Sequence, residues 1–120
     1  MITGIGIDLI ELKRVEKHIH NAPFINRVLT PKERETYERL GEKRKLEYLA
    51  GHFSVKEAYA KAKGTGIGKA VSFQDLTIVH DSLGKPTLTD RTSPDCVIHV
   101  SITHTEHAAA AFAVIERLSS

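Results

Sequence analysis

Glu57 and Lys61 stand four residues apart in the stretch 52–69, which opens with helix formers and closes on Gly64, Gly66 and Gly68. Phe53, Glu57, Ala60 and Gly64 share one side of a helix, so the carboxylate falls on or beside an apolar stripe. A carboxylate there must be paired, hydrogen-bonded or bound to a metal, because uncompensated burial is expensive. Lys61 follows in the favourable i+4 order for an ion pair, and that pair alone would account for the spacing. Asp8 ends a face shared with Gly4 and Gly6. Bare backbone leading to a carboxylate either borders a ligand or leads into a cap for the next helix.

The glycine loop looks like a phosphate cradle but departs from the known templates. Lys63 occupies the place of the first Walker glycine and Ala70 that of the Ser/Thr. The glycines also follow a helix, whose C-terminal dipole repels phosphate, so an anion here would need Lys61, Lys63 or a metal. A helix C-cap with a flexible connection explains one glycine better than three. His104 ends the inner face of an alternating segment and is either a structural hydrogen-bonder or a site group. His104 and His107 straddle a turn, which argues against zinc.

Several elements must position these groups. Residues 2–10 alternate as a strand, with Ile5, Ile7 and Leu9 on one face and Gly4, Gly6 and Asp8 on the other. Residues 11–20 read as a helix with Leu12, Val15 and Ile19 in register. Thr30-Pro31-Lys32-Glu33 carries the signature of a capping box with proline at the first position, and the helix it starts should stop near Gly41. A longer helix spans about residues 42–63. The period then becomes two: Leu76 and Ile78, a turn at Asp81-Ser82-Leu83-Gly84, a short strand after Pro86, and a strand over 97–104. Residues 108–115 hold four alanines, which favour a helix by propensity. The Thr105-Glu106 turn and the run Phe-Ala-Val-Ile favour a hairpin strand, and we assign strand. The sum is a single α+β domain over residues 1–120: one N-terminal strand, about three helices, then antiparallel strands forming a sheet.

Composition narrows the function. A net charge of +2, 41% hydrophobic and 27% charged residues describe an ordinary globular chain, not a nucleic-acid binder. Cys96 is the sole cysteine, which suits a reducing compartment, and no apolar run reaches the roughly 18 residues of a membrane span. A cytoplasmic location is expected, with neither membrane nor nucleic acid as partner.

Five segments in order carry a resemblance: Gly4-Ile5-Gly6-Ile7-Asp8, Phe53-Ser54-Val55-Lys56-Glu57-Ala58, Lys61-Ala62-Lys63-Gly64-Thr65-Gly66, Gly84-Lys85-Pro86 and Val100-Ser101-Ile102-Thr103-His104. Together they resemble the holo-[acyl-carrier-protein] synthases, the small group I 4′-phosphopantetheinyl transferases, over essentially the whole chain. The resemblance implies the fold of that family, Mg2+-dependent transfer of 4′-phosphopantetheine from coenzyme A to a serine of apo-acyl carrier protein, and release of adenosine 3′,5′-bisphosphate. It implies metal binding by Asp8 and Glu57, with Lys61 joining them in catalysis. It further implies coenzyme A contacts at Lys61, Gly64, Thr65, Gly66, Lys85, Pro86 and His104, with Lys43 and Arg44 toward the 3′-phosphate. Lys13, Arg14, Lys17 and Arg27 become the dock for the acidic carrier protein. Homotrimers with active sites between subunits are typical of such proteins.

Two positions depart from the family pattern. His52, also placed at the coenzyme, stands where relatives often carry arginine, so a titratable contact replaces a permanent charge. His20-Asn21-Ala22-Pro23 lacks the arginines that relatives often place there. The competing class is a non-catalytic module binding an acidic protein or RNA through its basic helices. It has no use for the Asp8–Glu57 pair, and with aromatics at 6% and no tryptophan it lacks stacking residues.

Overall fold

Both faces of the first strand are apolar or bare, and its partner decides which turns inward. The computed structural model describes residues 1–118, so the last two residues of the expected 1–120 domain lie outside the described residues. Strand β1 (Ile2–Glu11) pairs antiparallel with β5 (Ala108–Arg117), which pairs antiparallel with β4 (Cys96–His104), giving the order β1-β5-β4. Between β1 and β4 the chain forms α1 (Leu12–Glu16), α2 (Ala22–Val28), α3 (Pro31–Glu38), α4 (Glu42–Lys63), a 3₁₀ turn at Phe73–Asp75, and the hairpin β2 (Leu76–His80)–β3 (Pro86–Asp90).

Helix α4 lies across the inner face of the three-stranded sheet. Gly4 and Gly6 face it so closely that a Cβ would stand 2.1 Å from the Ala62 carbonyl oxygen and 2.0 Å from that of Ala58. The glycines of β1 therefore serve helix–strand contact, and the expectation that they border a ligand is overturned there. The register matches Gly6 with Ala113 and Asp8 with Ala111, so alanines of β5 keep the same face thin. The buried, inward-facing alanines of β5 are Ala109, Ala111 and Ala113, and a larger residue opposite Gly6 or Asp8 would push α4 away. Ala58, Tyr59, Ala111, Ala113 and Ile115 then close one core, while Val15, Val28, Leu29, Tyr37 and Leu49 close a second under α1–α3.

The opposite face of the sheet stays open. Ile5, Ile7 and Leu9 are 64%, 65% and 70% exposed, and Phe112, the cross-strand partner of Ile7, is 43% exposed.

The helical half departs from expectation in two respects. The first helix ends at Glu16, and single turns (His18 N–H to Val15 O, Asn21 N–H to His18 O) carry the chain onward with Ile19 still buried. A further helix, α2, follows: the Asn21 side chain accepts from the Phe24 amide at its start, and Pro23 lies in its first turn. Seven residues are too few for apolar periodicity to stand out, so the cap was its only legible signal. The capping box of α3 forms as read, and Gly64 ends α4 in the left-handed region at φ 87°. The amides of Gly64, Thr65 and Gly66 all return to the Ala60 carbonyl, with Gly66 also left-handed at φ 67°. Two of the loop's three glycines thus have a conformational reason.

Candidate active site

The seam between β1 and α4 gathers the groups that could do chemistry. Asp8 is on the inner face of β1, its side chain only 13% exposed. Ser54 Oγ donates to Asp8 Oδ2 at 3.0 Å, and Lys61 Nζ donates to Oδ1 at 3.1 Å and to the Ile7 carbonyl at 3.2 Å. Ser54, Glu57 and Lys61 recur at i, i+3 and i+7, so α4 presents all three along one line facing the strand. The cap alternative for Asp8 fails, since α1 starts at Leu12 with Glu11 at its N-cap and no side-chain cap hydrogen bond. The i+4 ion pair fails too, because Lys61 turns to Asp8.

Glu57 is half-buried and engages no hydrogen bond or ion pair among the described residues. Its pKa is raised, first by burial and then by the charge of Asp8, with Lys61 and Arg27 opposing. Two carboxylates that repel each other beside one lysine form a site that gains from a cation. No cluster of three or more His, Cys, Asp or Glu side chains occurs among the described residues. An ion bound here would therefore draw on two protein carboxylates and complete its shell from substrate and water. That donor set fits magnesium, a hard cation usually held by one or two carboxylates plus phosphates.

Further toward the N-terminus of α4 lies an open cleft of about 770 Å³ between α4, β4 and the β2–β3 turn. Arg44, His52, Lys85, Pro86 and His104 line it, together with Gly84 and His80. At 1.5 Å of rise per residue, Gly51 on the cleft wall and Glu57 are separated by about 9 Å along the helix. His104 Nε2 approaches Glu47 Oε2 at 3.3 Å at the cleft edge. The remaining coenzyme candidates lie elsewhere: Lys43 is exposed outside the cleft lining, Lys61 belongs to the Asp8 cluster, and Gly64, Thr65 and Gly66 form the C-cap of α4.

His52 corrects the idea of a titratable charge. It is 2% exposed, and burial above all pushes its pKa down to about 3, so the ring stays neutral at physiological pH. Lys63, considered as a counter-charge for the glycine loop, instead binds Asp90 at 3.1 Å, Thr92 and Ser93.

Of the basic residues expected to dock a partner, Lys13, Arg14 and Lys17 are exposed on α1 and the turn after it. Arg27 lies in the last turn of α2 with its guanidinium 5.3 Å from the centre of the Phe73 ring, near enough to lower the Glu57 pKa. Sequence reasoning did not single out Ser54, Glu47 or His80 as site residues. A polar residue three before Glu57 on the same helical line was the available signal for Ser54.

A family model for the 4′-phosphopantetheinyl transferase superfamily matches residues 4–113. A holo-[acyl-carrier-protein] synthase of Geobacillus sp. (strain WCH70) is 53% identical over 120 residues, 99% of this chain and 100% of that protein. That of Bacillus subtilis (strain 168) is 51% identical over 121 residues, covering 100% of both. The crystal structure of a holo-(acyl-carrier-protein) synthase from Bacillus anthracis str. Ames in complex with CoA (3′,5′-ADP) superposes with a TM-score of 0.90 at 48% identity, covering 98% of each chain.

Proposed function

The chain belongs to the 4′-phosphopantetheinyl transferase superfamily as a holo-[acyl-carrier-protein] synthase, and we propose from this how its residues divide the reaction. It transfers 4′-phosphopantetheine from coenzyme A to apo-acyl carrier protein. In that transfer the acceptor serine Oγ forms a bond to the phosphorus bearing the pantetheine arm. The bond from that phosphorus to the bridging oxygen breaks, adenosine 3′,5′-bisphosphate leaves with the electron pair, and the serine proton goes to a base.

The observation that carries the assignment of roles is the Asp8–Ser54–Glu57–Lys61 cluster lying along α4 from a cleft large enough for a nucleotide. The cleft takes the adenosine 3′-phosphate end: Arg44 and Lys85 supply cations, and Pro86 and Gly84 shape the wall. The diphosphate then runs along α4 to the cluster, where Lys61 binds its oxygens and stabilises charge on the leaving group. Asp8 and Glu57 would hold Mg2+, which when bound neutralises diphosphate charge. Ser54 orients Asp8 through its hydrogen bond. Glu57, without a protein partner among the described residues, is the group in place to receive the serine proton. Lys13, Arg14, Lys17 and Arg27 form a basic approach to this seam for the acidic carrier protein.

The exposed apolar face of β1 and β5 supports a homotrimer: Ile5, Ile7, Leu9 and Phe112 form a patch of a kind that seldom stays in water. No helix of the described residues is long and apolar enough to cross a membrane. Together with the unpaired Cys96 this supports action in the cytoplasm.

The deciding experiment incubates apo-acyl carrier protein with coenzyme A, Mg2+ and each variant, and reads product by intact mass. Wild type should add one phosphopantetheine, while Asp8→Ala and Glu57→Ala should stay folded and give none. Near-wild-type rates from both variants would remove the two carboxylates from the mechanism.

A further inference from the structure

Strand β2 ends on the cleft, and its last residue is an aromatic ring left without a cover. Leu76 and Ile78 are buried in the same core as Val55 and Tyr59 of α4. The strand period of two puts His80 on that same face, but there the core has given way to the cleft. His80 is therefore exposed and lines the cleft, as does Pro86, its cross-strand partner in β3.

Behind His80 stands a row of rings. Its ring centre is 5.6 Å from that of His52, with 46° between the planes. His52 stacks on Tyr48 at 3.8 Å and 20°, and Tyr48 meets the buried Tyr37 at 5.9 Å. The Tyr48 carbonyl, 2.8 Å from His52 Nδ1, accepts the hydrogen of a ring that burial keeps neutral. The row runs from the core to the cleft, and His80 is its one exposed member. The hairpin end that carries it is held still. Asp81 Oδ1 accepts from the Leu83 and Lys85 amides, both at 2.9 Å, and the Asp81 amide donates to the Lys85 carbonyl at 3.0 Å. A ligand settling on this ring has little ordering to impose.

The surroundings select the ligand group. Leu40, Pro86 and Ile102 give the cleft aliphatic walls, and a flat ring among them suits another flat ring. Phosphate has stronger partners close by, since the Arg44 and Lys85 side chains are exposed in the same cleft.

We propose that His80 is a specificity-determining residue on which the adenine ring of bound coenzyme A stacks, leaving the phosphates to Arg44 and Lys85. This rests on the reading of the cleft as the coenzyme A site.

The test is calorimetric titration of the full chain, in Mg2+ buffer, with coenzyme A and with 3′-dephospho-coenzyme A. His80→Ala should bind both about tenfold more weakly than wild type and keep the wild-type preference between them. His80→Gln, polar but not aromatic, should be as weak as His80→Ala. His80→Phe restores a flat ring and should bind within about threefold of wild type. The adenine H2 and H8 proton resonances should move upfield on binding wild type or His80→Phe, as under a stacked ring, and by less with His80→Ala. The proposal is overturned if His80→Ala binds like wild type, if His80→Phe is as weak as His80→Ala, or if the adenine resonances stay in place with wild type. It is equally overturned if His80→Ala loses the preference for the 3′-phosphate, which would make His80 a phosphate ligand. Coenzyme A binding left unchanged by Arg44→Ala combined with Lys85→Ala would remove the reading of the cleft itself, a separate outcome that takes this proposal with it.

Discussion

Lys56 stands next to Glu57 in sequence but points the other way, into the protein, and replacing it tests what holds α4 in place. Its side chain and that of Glu33 are both 0% exposed, with Nζ 2.7 Å from Oε1. Nζ also donates to the Val28 carbonyl at 2.7 Å and the Phe73 carbonyl at 3.2 Å, which uses all three of its hydrogens. Glu33 in turn accepts from the Thr30 amide at 2.8 Å and the Ile78 amide at 2.7 Å. One ion pair thus ties α4 to the end of α2, the start of α3, the 3₁₀ turn and β2. Lys56→Met leaves a buried carboxylate with no counter-charge, a loss of about 3–5 kcal/mol. For a chain of this length each kcal/mol moves the melting temperature by about 3–5 °C, so a fall of about 10–25 °C is expected. Thermal and urea denaturation, followed by circular dichroism, should be run on Lys56→Met, Glu33→Leu and the double variant. The double removes both charges but orphans two amides, so its loss should fall short of the summed single losses by about 2 kcal/mol or more. Additive losses, or a single loss under about 1 kcal/mol, would refute the account of this pair.

Gly6→Ala should destabilise by about 2 kcal/mol or more, because its Cβ would meet the Ala58 carbonyl at 2.0 Å and the Ala62 amide nitrogen at 2.7 Å; a urea midpoint unchanged from wild type would contradict this. Glu57→Gln should abolish transfer yet raise the melting temperature at neutral pH in metal-free buffer. The folded-state pKa of Glu57 lies above its ordinary value of 4.5, so its contribution to stability is fully present below pH 4.5 and is lost as pH rises through the folded value. The advantage of the glutamine variant should accordingly vanish in acid, as melting curves across pH would show. If the proposed trimer forms through the open face of the sheet, Ile7→Asp combined with Phe112→Ser should scatter light as a monomer where wild type scatters as a trimer, with the far-ultraviolet spectrum retained; a wild type that is itself monomeric would remove the proposed assembly.

Local chemistry made much of this fold legible. The capping box at Thr30 and Glu33, the glycine that ends α4, and the strand period of 97–104 are each decided within a few residues, and they formed where the pattern put them. The strand read over residues 108–115, which the structure extends to Arg117, was legible against the propensity of its alanines because a turn and β-branched residues flank them. Helix α2 escaped because seven residues carry too little periodicity, and the first helix was read too long because Ile19 keeps helical spacing after the helix has ended.

The site was legible as residue types but not as partners. From the residues alone, Glu57 stands out with Lys61, since burial of charge on an apolar stripe demands compensation, and Asp8 joins them as a second carboxylate only through the family resemblance. Which of them pair, and which side chains face inward, only the tertiary structure decided. Lys56 and Lys61 are equally lysine in the chain, yet one is sealed against Glu33 and the other reaches Asp8 from the surface. His52 reads as a titratable charge in sequence and becomes a neutral acceptor once Tyr48 and burial fix its proton. Ile7 and Gly6 are neighbours whose fates were set by α4: the helix packs where no Cβ intervenes, so the glycine is buried and the isoleucine faces out. The reason is common to all three. Residue type sets what a group can do, but its charge state and its partner depend on solvent exclusion and on atoms that lie tens of residues away along the chain.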